Sequence, residues 1–384
     1  MARVLILNER DPRHPKAGGA EIHVAEIFGR LARRGHEISM ASSVFAGAPA
    51  HERIDDIAVQ RVGALPLYYP RAAWTCARAS RRGEFDVVVE CLNKLPFLSP
   101  VYSSVPVLAL CHHLFGETAF QQVAWPIAAA VWSVEQLIPR LYRRERFVAI
   151  SESTRDDLVR RGIGADRIEV HHPGIRRPEH PSPNLASRGQ RVVYVGRLER
   201  YKNVDVLIRA MQRLESRFPD AELVVIGEGK DRTRLVGIAQ ETGVSRRTRF
   251  TGFIDESVRN RLLAESRVCV CPSSKEGWGL TVIEANALGT PNVASDAPGL
   301  RDSVRDGETG FLVPDGDVEA FADRIGLLLS DDALATRMSE QAQRWSRRFE
   351  WDRAADLMEA AWATRNLAPT NAAMATNTVI APRA

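Results

Sequence analysis

The stretch Arg191-Val192-Val193-Tyr194-Val195-Gly196-Arg197-Leu198-Glu199-Arg200-Tyr201-Lys202-Asn203 decides how this chain folds. Its first five residues are almost wholly apolar, as a strand covered on both faces requires. Gly196 breaks the run, and a helical pattern over Asn203–Arg217 follows. A strand, a turn and a helix in this order make the first half of a βαβ unit. The same alternation extends in both directions. Downstream come strand Ala221–Ile226, helix Lys230–Thr242, strands Arg249–Thr251 and Val268–Cys271, helix Leu280–Leu288 and strand Asn292–Ser295. Upstream lie strand Val4–Leu7, helix Ala20–Arg34 with Gly35 as its stop, and strands Glu37–Ala41, Ala58–Val62, Asp86–Glu90, Val105–Cys111 and Phe147–Ile150.

Between the two series, Ile175–Gln190 holds three prolines and has no apolar period, so it reads as a linker. The expected organisation is a first domain over 1–175, a second over 176–349, a helical stretch at Arg353–Thr364 and a disordered, aperiodic tail from Asn366 to Ala384. The fold class is therefore α/β, two doubly wound Rossmann-like parallel sheets facing across a cleft. Ligands of such sheets bind beyond the carboxyl ends of the strands.

Composition narrows the function. The 384 residues are 45% hydrophobic and 26% charged, an ordinary globular balance, and 52 basic against 48 acidic residues leave a net charge of +4. The small basic excess lies in residues 1–180 and forms no Lys/Arg stripe, which argues against a nucleic-acid partner. Five scattered cysteines with no C-x-x-C give neither a zinc site nor a disulfide framework. The opening residues are cut off by Glu9, Arg10 and Asp11 before a signal segment can form. The longest apolar window, Ala124–Val134, is short of the ~20 residues that span a bilayer. The expected location is cytoplasmic, at the inner face of a membrane if the first domain makes peripheral contact. Phe120–Arg146 is the stretch for such contact: Trp125, Trp132, Leu137 and Ile138 precede Arg140, Arg143, Arg144 and Arg146. Either an amphipathic surface for an acceptor lipid or core packing with a basic end fits that pattern.

Four clusters carry candidate chemistry. Gly18-Gly19-Ala20-Glu21 stands before the first long helix, where small residues and free N–H groups suit a phosphate. Arg197 and Lys202 bracket the turn after Val195, so both cations can converge above the strand end. The third cluster is the most specific. Glu276 ends a loop, Glu284 lies inside the following helix, and Gly277-Trp278-Gly279-Leu280-Thr281 between them aims backbone N–H groups into the cleft. Two carboxylates flanking an anion-binding helix start suit the vicinal hydroxyls of a sugar or ribose. Fourth, His112 follows strand Val105–Cys111 at its carboxyl end. Gly227-Glu228-Gly229-Lys230 lacks the spacing of a Walker A loop. Asp315-Gly316-Asp317 resembles a metal-binding pair but reads better as a solvated turn, so no metal ligand is assigned.

Together these residues resemble the retaining glycosyltransferases of family 4, which have the GT-B fold. The resemblance spans residues 1–365. It rests on Gly18-Gly19-x-Glu21, His112, Val195-Gly196-Arg197-Leu198 with Lys202-Asn203, Val225–Gly229, Phe250–Phe253, the two glutamates with their Gly-x-Gly-Leu centre, and Gly307–Val313. It implies a nucleotide-diphosphate sugar (UDP- or GDP-linked) held mainly by the second domain, and a glycan, lipid or small-molecule acceptor. Arg197 and Lys202 would hold the diphosphate, Glu284 the ribose, and Glu276 with Gly277–Thr281 the sugar and phosphate. Gly19 would approach the diphosphate from the first domain, and His112 would face the transferred sugar. The Phe253–Ile254 loop would neighbour the base, and the last helix would cross back onto the first domain. No cofactor or catalytic metal is implied. Two departures stand out: His113 replaces a common acid, and His172-Pro173-Gly174 replaces Pro-Asn-Gly. A non-catalytic sugar-nucleotide-binding subunit and a sugar-nucleotide epimerase or phosphorylase are the rival readings.

Overall fold

The computed structural model describes residues 1–116, 120, 124–177 and 182–366; positions 367–384 of the expected tail lie outside them. The first sheet has eight strands: β1 (Arg3–Leu7), β2 (Glu37–Ser43), β3 (His51–Ile54), β4 (Ile57–Gly63), β5 (Val87–Leu92), β6 (Val107–Cys111), β7 (Arg146–Ala149) and β8 (Ile168–Val170). Its helices are α1 (Gly19–Arg33), α2 (Tyr68–Arg81), α3 (Trp125–Glu135), α4 (Ile138–Leu141) and α5 (Glu152–Arg160). The second sheet has β9 (Arg191–Val195), β10 (Glu222–Ile226), β11 (Thr248–Gly252), β12 (Val268–Cys271), β13 (Asn292–Ser295) and β14 (Gly310–Val313). With it go α6 (Val204–Leu214), α7 (Arg232–Glu241), α8 (Glu256–Glu265), α9 (Leu280–Ala287), α10 (Leu300–Ser303), α11 (Val318–Ser330), α12 (Asp332–Ser346) and α13 (Trp351–Asn366).

The sheets follow one plan. The second runs β11-β10-β9-β12-β13-β14 and all its pairs are parallel. The first runs β3-β4-β2-β1-β5-β6-β7-β8, with β3 added antiparallel at one edge. In each, strand order reverses beside the first strand, between β1 and β5 and between β9 and β12. A ligand crevice opens at such a switch point. The central strands are continuously buried because helices cover both faces, and every residue of β5, β6, β12 and β13 is buried.

Several elements lie outside the sequence reading. β3 carries His51, Glu52 and Arg53, so it shows no apolar run. It exists because Asp55 and Asp56, both at positive φ, close a two-residue hairpin onto β4. Strands β8 and β14 and helices α2, α8, α11 and α12 likewise lie outside that reading. The expected linker is also partly packed. Arg188 is buried, and its guanidinium donates to the carbonyls of Pro183, Ser266 and Leu288 and to the Thr290 hydroxyl.

The chain crosses between domains twice at one place. Ile175 bridges to Glu350, and a Cβ on Gly174 would lie 2.3 Å from the Trp351 nitrogen, so only glycine lets the two crossings touch. α13 then returns to the first domain. Trp362 stacks near Phe28 of α1, and Arg30, Arg34 and His36 meet Asp352, Asp356 and Glu359. No helix among the described residues is long and apolar enough to cross a membrane.

Candidate functional site

The carboxyl ends of β9 and β12 carry the charged loops, and their positions follow from close backbone contact. A Cβ at Gly227, whose φ is +133°, would lie 2.0 Å from the Gly196 carbonyl oxygen, and one at Gly229 would lie 2.1 Å from that of Leu198. The Gly227-Glu228-Gly229 segment is thus a flat seat for the Arg197 loop. Backbone bonds Gly196 N to Ile226 O and Leu198 N to Glu228 O complete it. Tyr194, buried in β9, donates its hydroxyl to the Arg197 carbonyl from below. The Glu276 loop is seated alike: Ser274 N donates to Tyr201 O and Glu276 N to Pro298 O, and a Cβ at Gly299 would lie 2.4 Å from Glu276 O.

On these loops Lys202 donates to Glu276 as an ion pair with both side chains largely covered. Burial opposes the Lys202 charge, but the neighbouring Glu276 carboxylate more than offsets it, so the ammonium pKa stands above its ordinary value. Arg197 is exposed and its guanidinium donates to the Tyr201 hydroxyl at 3.0 Å. Both cations meet Tyr201, since Lys202 Nζ lies 5.2 Å from its ring centroid, and His113 stands across the cleft from them. Its pKa is pushed down to about 3, first by burial and then by Lys275, Arg197 and Lys202.

α9 begins at Leu280 with Gly279 as its N-cap at φ +83°, which only glycine adopts easily, and Leu280 and Thr281 are half-buried there. Gly277 is a close contact between domains: a Cβ there would lie 2.8 Å from the His112 carbonyl oxygen. Glu284, one turn into α9, is partly buried and accepts from Arg259 of α8 at 3.2 Å. Burial raises its carboxyl pKa and Arg259 opposes that rise. Both line an interdomain cavity of about 180 Å³ with Ile22, Glu26, Arg176 and Trp351.

The first domain contributes a different set. Gly18 is the N-cap of α1, and its N–H donates to Glu21 Oε2 at 2.7 Å, while Glu21 Oε1 faces Lys94 at 3.5 Å. Lys94 also pairs with Glu9 at 3.3 Å, and burial lowers its pKa. Gly19 is exposed, and a Cβ there would meet nothing within 4 Å. His112 is buried, its Nε2 lies 3.0 Å from Nδ1 of His23, and its own Nδ1 has no hydrogen-bond partner. Burial pushes the His112 pKa down to about 3 and that of His23 well below its usual value, so the pair is neutral.

Two of the expected site residues have buried rings. Trp278, expected among the donor-binding residues, has a ring that is 3% exposed, stacks on His172 at 4.3 Å and packs on Phe349. It closes the domain crossing, because a large aromatic between two glycines fills the gap they leave. The His112 ring is buried and held by His23 through Nε2, which leaves Nδ1 as its other polar atom, while the His112 carbonyl forms the wall against Gly277. Asp315 and Asp317 are explained locally. Asp317 caps α11 by accepting from Ala320 N, and Asp315 accepts from Asn203 and Ser295.

Sequence reasoning missed His23, Lys94, Arg259 and Lys275. Lys275 donates to the Leu114 carbonyl at 2.6 Å, tying the second domain to the first. A signal existed for two of these residues: the chain has only five lysines, and Lys94, Lys202 and Lys275 all stand at the cleft. His23 and Arg259 gave none, since each is one polar residue on an ordinary helix.

Comparison with known proteins bears on the family and the fold. Residues 17–177 match the family described as Glycosyltransferase Family 4, and residues 176–345 match Glycosyl transferases group 1. The D-inositol 3-phosphate glycosyltransferase of Xylanimonas cellulosilytica is 32% identical over 391 residues, covering 89% of this chain and 90% of that protein. Sucrose-phosphate synthase from Thermosynechococcus elongatus superposes with a TM-score of 0.81 at 23% identity, over 95% of this chain and 99% of that one. An Anabaena protein solved in complex with UDP-glucose superposes with a TM-score of 0.75 at 18% identity, over 95% and 100%.

Proposed function

The chain belongs to the glycosyltransferases of group 1 and family 4, and from that premise we propose that it transfers a hexose, with retention, from a UDP- or GDP-sugar to an acceptor hydroxyl. The observation that carries this reading is the Lys202–Glu276 pair, seated beside Arg197 and the start of α9 on loops fixed by glycine-to-backbone contact. Lys202 and Arg197 offset the charge that grows on the diphosphate as the bond from the anomeric carbon to the β-phosphate oxygen breaks. Fixed charges aimed at a developing anion lower the barrier without reorganising. Glu276 orients Lys202 and, once phosphate competes for that ammonium, is free to accept from sugar hydroxyls. Glu284 exchanges Arg259 for the ribose hydroxyls. His112, held by His23, presents Nδ1 as the atom left for a sugar hydroxyl.

Retention follows if the acceptor oxygen attacks on the face the diphosphate leaves, forming the new bond to the anomeric carbon. The acceptor proton then passes to the departing phosphate oxygen. Positive charge in this scheme comes from side chains, and the acceptor is a glycan, glycolipid or natural product on the first domain's side. We place the reaction in the cytoplasm, where nucleotide sugars are made.

The test is release of nucleoside diphosphate from UDP- and GDP-hexoses without acceptor, followed by the anomeric configuration of the product by NMR. Slow release from one donor and an axial-to-axial or equatorial-to-equatorial outcome support the reading. No release or binding with any donor would sink it. Tight binding without turnover would instead favour a sugar-nucleotide-binding subunit.

A further inference from the structure

Among the described residues, exposed large apolar side chains gather at and beside α3. From Ala124 to Leu137 the sole charged residue is Glu135, and within the helix only Ala128 and Glu135 are buried. Trp125 is 72% exposed, Ile127 57% and Trp132 41%, and Phe120 and Leu137 are exposed beside them. Core packing, the alternative weighed from sequence, accounts for Ile138 but not for Trp125, Ile127 and Trp132. Past the helix, Arg140, Arg143 and Arg144 are exposed and form no ion pair among the described residues.

We propose that α3, apolar and exposed around most of its circumference, docks flat on an anionic phospholipid surface. An eleven-residue helix is about 16 Å long, too short to span a bilayer but suited to lie at its interface. Tryptophan prefers that depth, and arginines flanking an apolar face add attraction to anionic headgroups. A second copy of the chain fits less well. A two-fold contact sets the same patch against itself, and would bury this arginine-flanked patch with no acidic residue from Ala124 to Leu137 except buried Glu135 to pair with the arginines.

The face is wired to the cleft. Glu135 of α3 accepts from Phe115 N at 2.7 Å and Gly116 N at 2.8 Å. The carbonyl of the adjoining Leu114 accepts from Lys275, the residue before Glu276. His112 and His113 immediately precede this turn. Docking thus sets the cleft beside the headgroups and points to an acceptor anchored in the lipid. That last step rests on the transferase reading above, whereas docking itself does not.

The experiment is sedimentation of the full chain with vesicles of phosphatidylcholine alone or mixed with phosphatidylglycerol. Binding to the mixed vesicles, weakened by salt and weak on phosphatidylcholine, is expected. The variant Trp125→Ser/Ile127→Ser/Trp132→Ser should lose it, and Trp125→Ser alone, at the most exposed position, should weaken it. Each of Arg140→Glu, Arg143→Glu and Arg144→Glu should weaken binding at least roughly fivefold, from the surface potential of an anionic leaflet. Thermal melts of all variants should match the parent. Acceptor-independent diphosphate release should also persist in the variants; its absence in the parent too would count against the transferase reading and not against docking. No binding by the parent, or equal binding by the triple variant, would overturn the proposal. So would a concentration-dependent dimer in light scattering that the triple variant abolishes.

Discussion

The second domain brings Arg197, Lys202 and Glu276 to the cleft on loops that touch backbone to backbone, whereas the first brings His23, His112, Glu21 and Lys94 as side chains that chiefly bond one another. The two sheets share one topology, so the difference lies in the segments that leave their strand ends. Where Gly227, Gly229 and Gly299 strip away Cβ atoms, the loops cannot shift, and charges on them act as fixed electrostatics. Where neutral histidines pair with each other and half-buried Lys94 pairs with Glu9 and Glu21, the site depends on hydrogen bonds that an occupant can trade. The second domain's side of the cleft is packed backbone to backbone and charged, and the first domain's side is held by side-chain hydrogen bonds.

The largest expected effect tests the rigid half. Lys202→Met should lower kcat by roughly 10²–10³, the loss seen when one donor to a developing anion is removed. Because it leaves Glu276 poorly compensated, it should also lower Tm. Lys202→Met/Glu276→Gln should recover Tm but not turnover, measured by melting and by nucleoside diphosphate release. Recovery of both would make the pair structural and break the comparison.

Next is the seat itself. Gly227→Ala places a methyl group on the Gly196 carbonyl at a φ only glycine adopts easily. Urea unfolding should show a loss of at least about 1–3 kcal/mol, as overpacking does. Gly19→Ala, with open space around it, should leave stability unchanged. Equal losses would mean the two halves are not built differently.

Nucleotide binding sharpens the contrast further. Glu284→Ala should weaken nucleoside diphosphate affinity by ~10–100-fold, as removal of a charge-assisted hydrogen bond of about 1.5–3 kcal/mol does. Titration calorimetry reads it, and an unchanged Kd would remove the ribose role.

The histidine half gives an effect confined to acid pH. The folded-state pKa of His112 lies near 3 and that of an unfolded histidine near 6.5, so the unfolded chain binds more protons between them. Stability from this group is therefore complete above pH ~6.5 and is lost as pH falls toward 3, by about 1.4 kcal/mol per pH unit. His112→Gln should flatten the dependence of urea-unfolding stability between these limits. An unaltered slope would place the titration elsewhere.

Much of this is open to reading from the chain. Alternating apolar runs locate most strands of both sheets, and Arg197, Lys202, Glu276 and Glu284 stand out because charge beside glycine at the end of an apolar strand has few packing explanations. Trp278 misleads because its neighbours Gly277 and Gly279 do belong to the cleft, and adjacent residues point different ways. His23 stays hidden because its partner lies 89 residues away.

Sequence alone determined the repeating strand-and-helix order and the charged residue types at the strand ends, because burial on both faces and the need to break an apolar run act over a few neighbours. Tertiary structure alone decided which charges meet, that Glu284 faces Arg259, that His112 is locked by His23, and that α3 is left bare. Those outcomes depend on the packing of two sheets and a returning helix, whose contacts join residues tens to hundreds of positions apart and leave no local pattern to read.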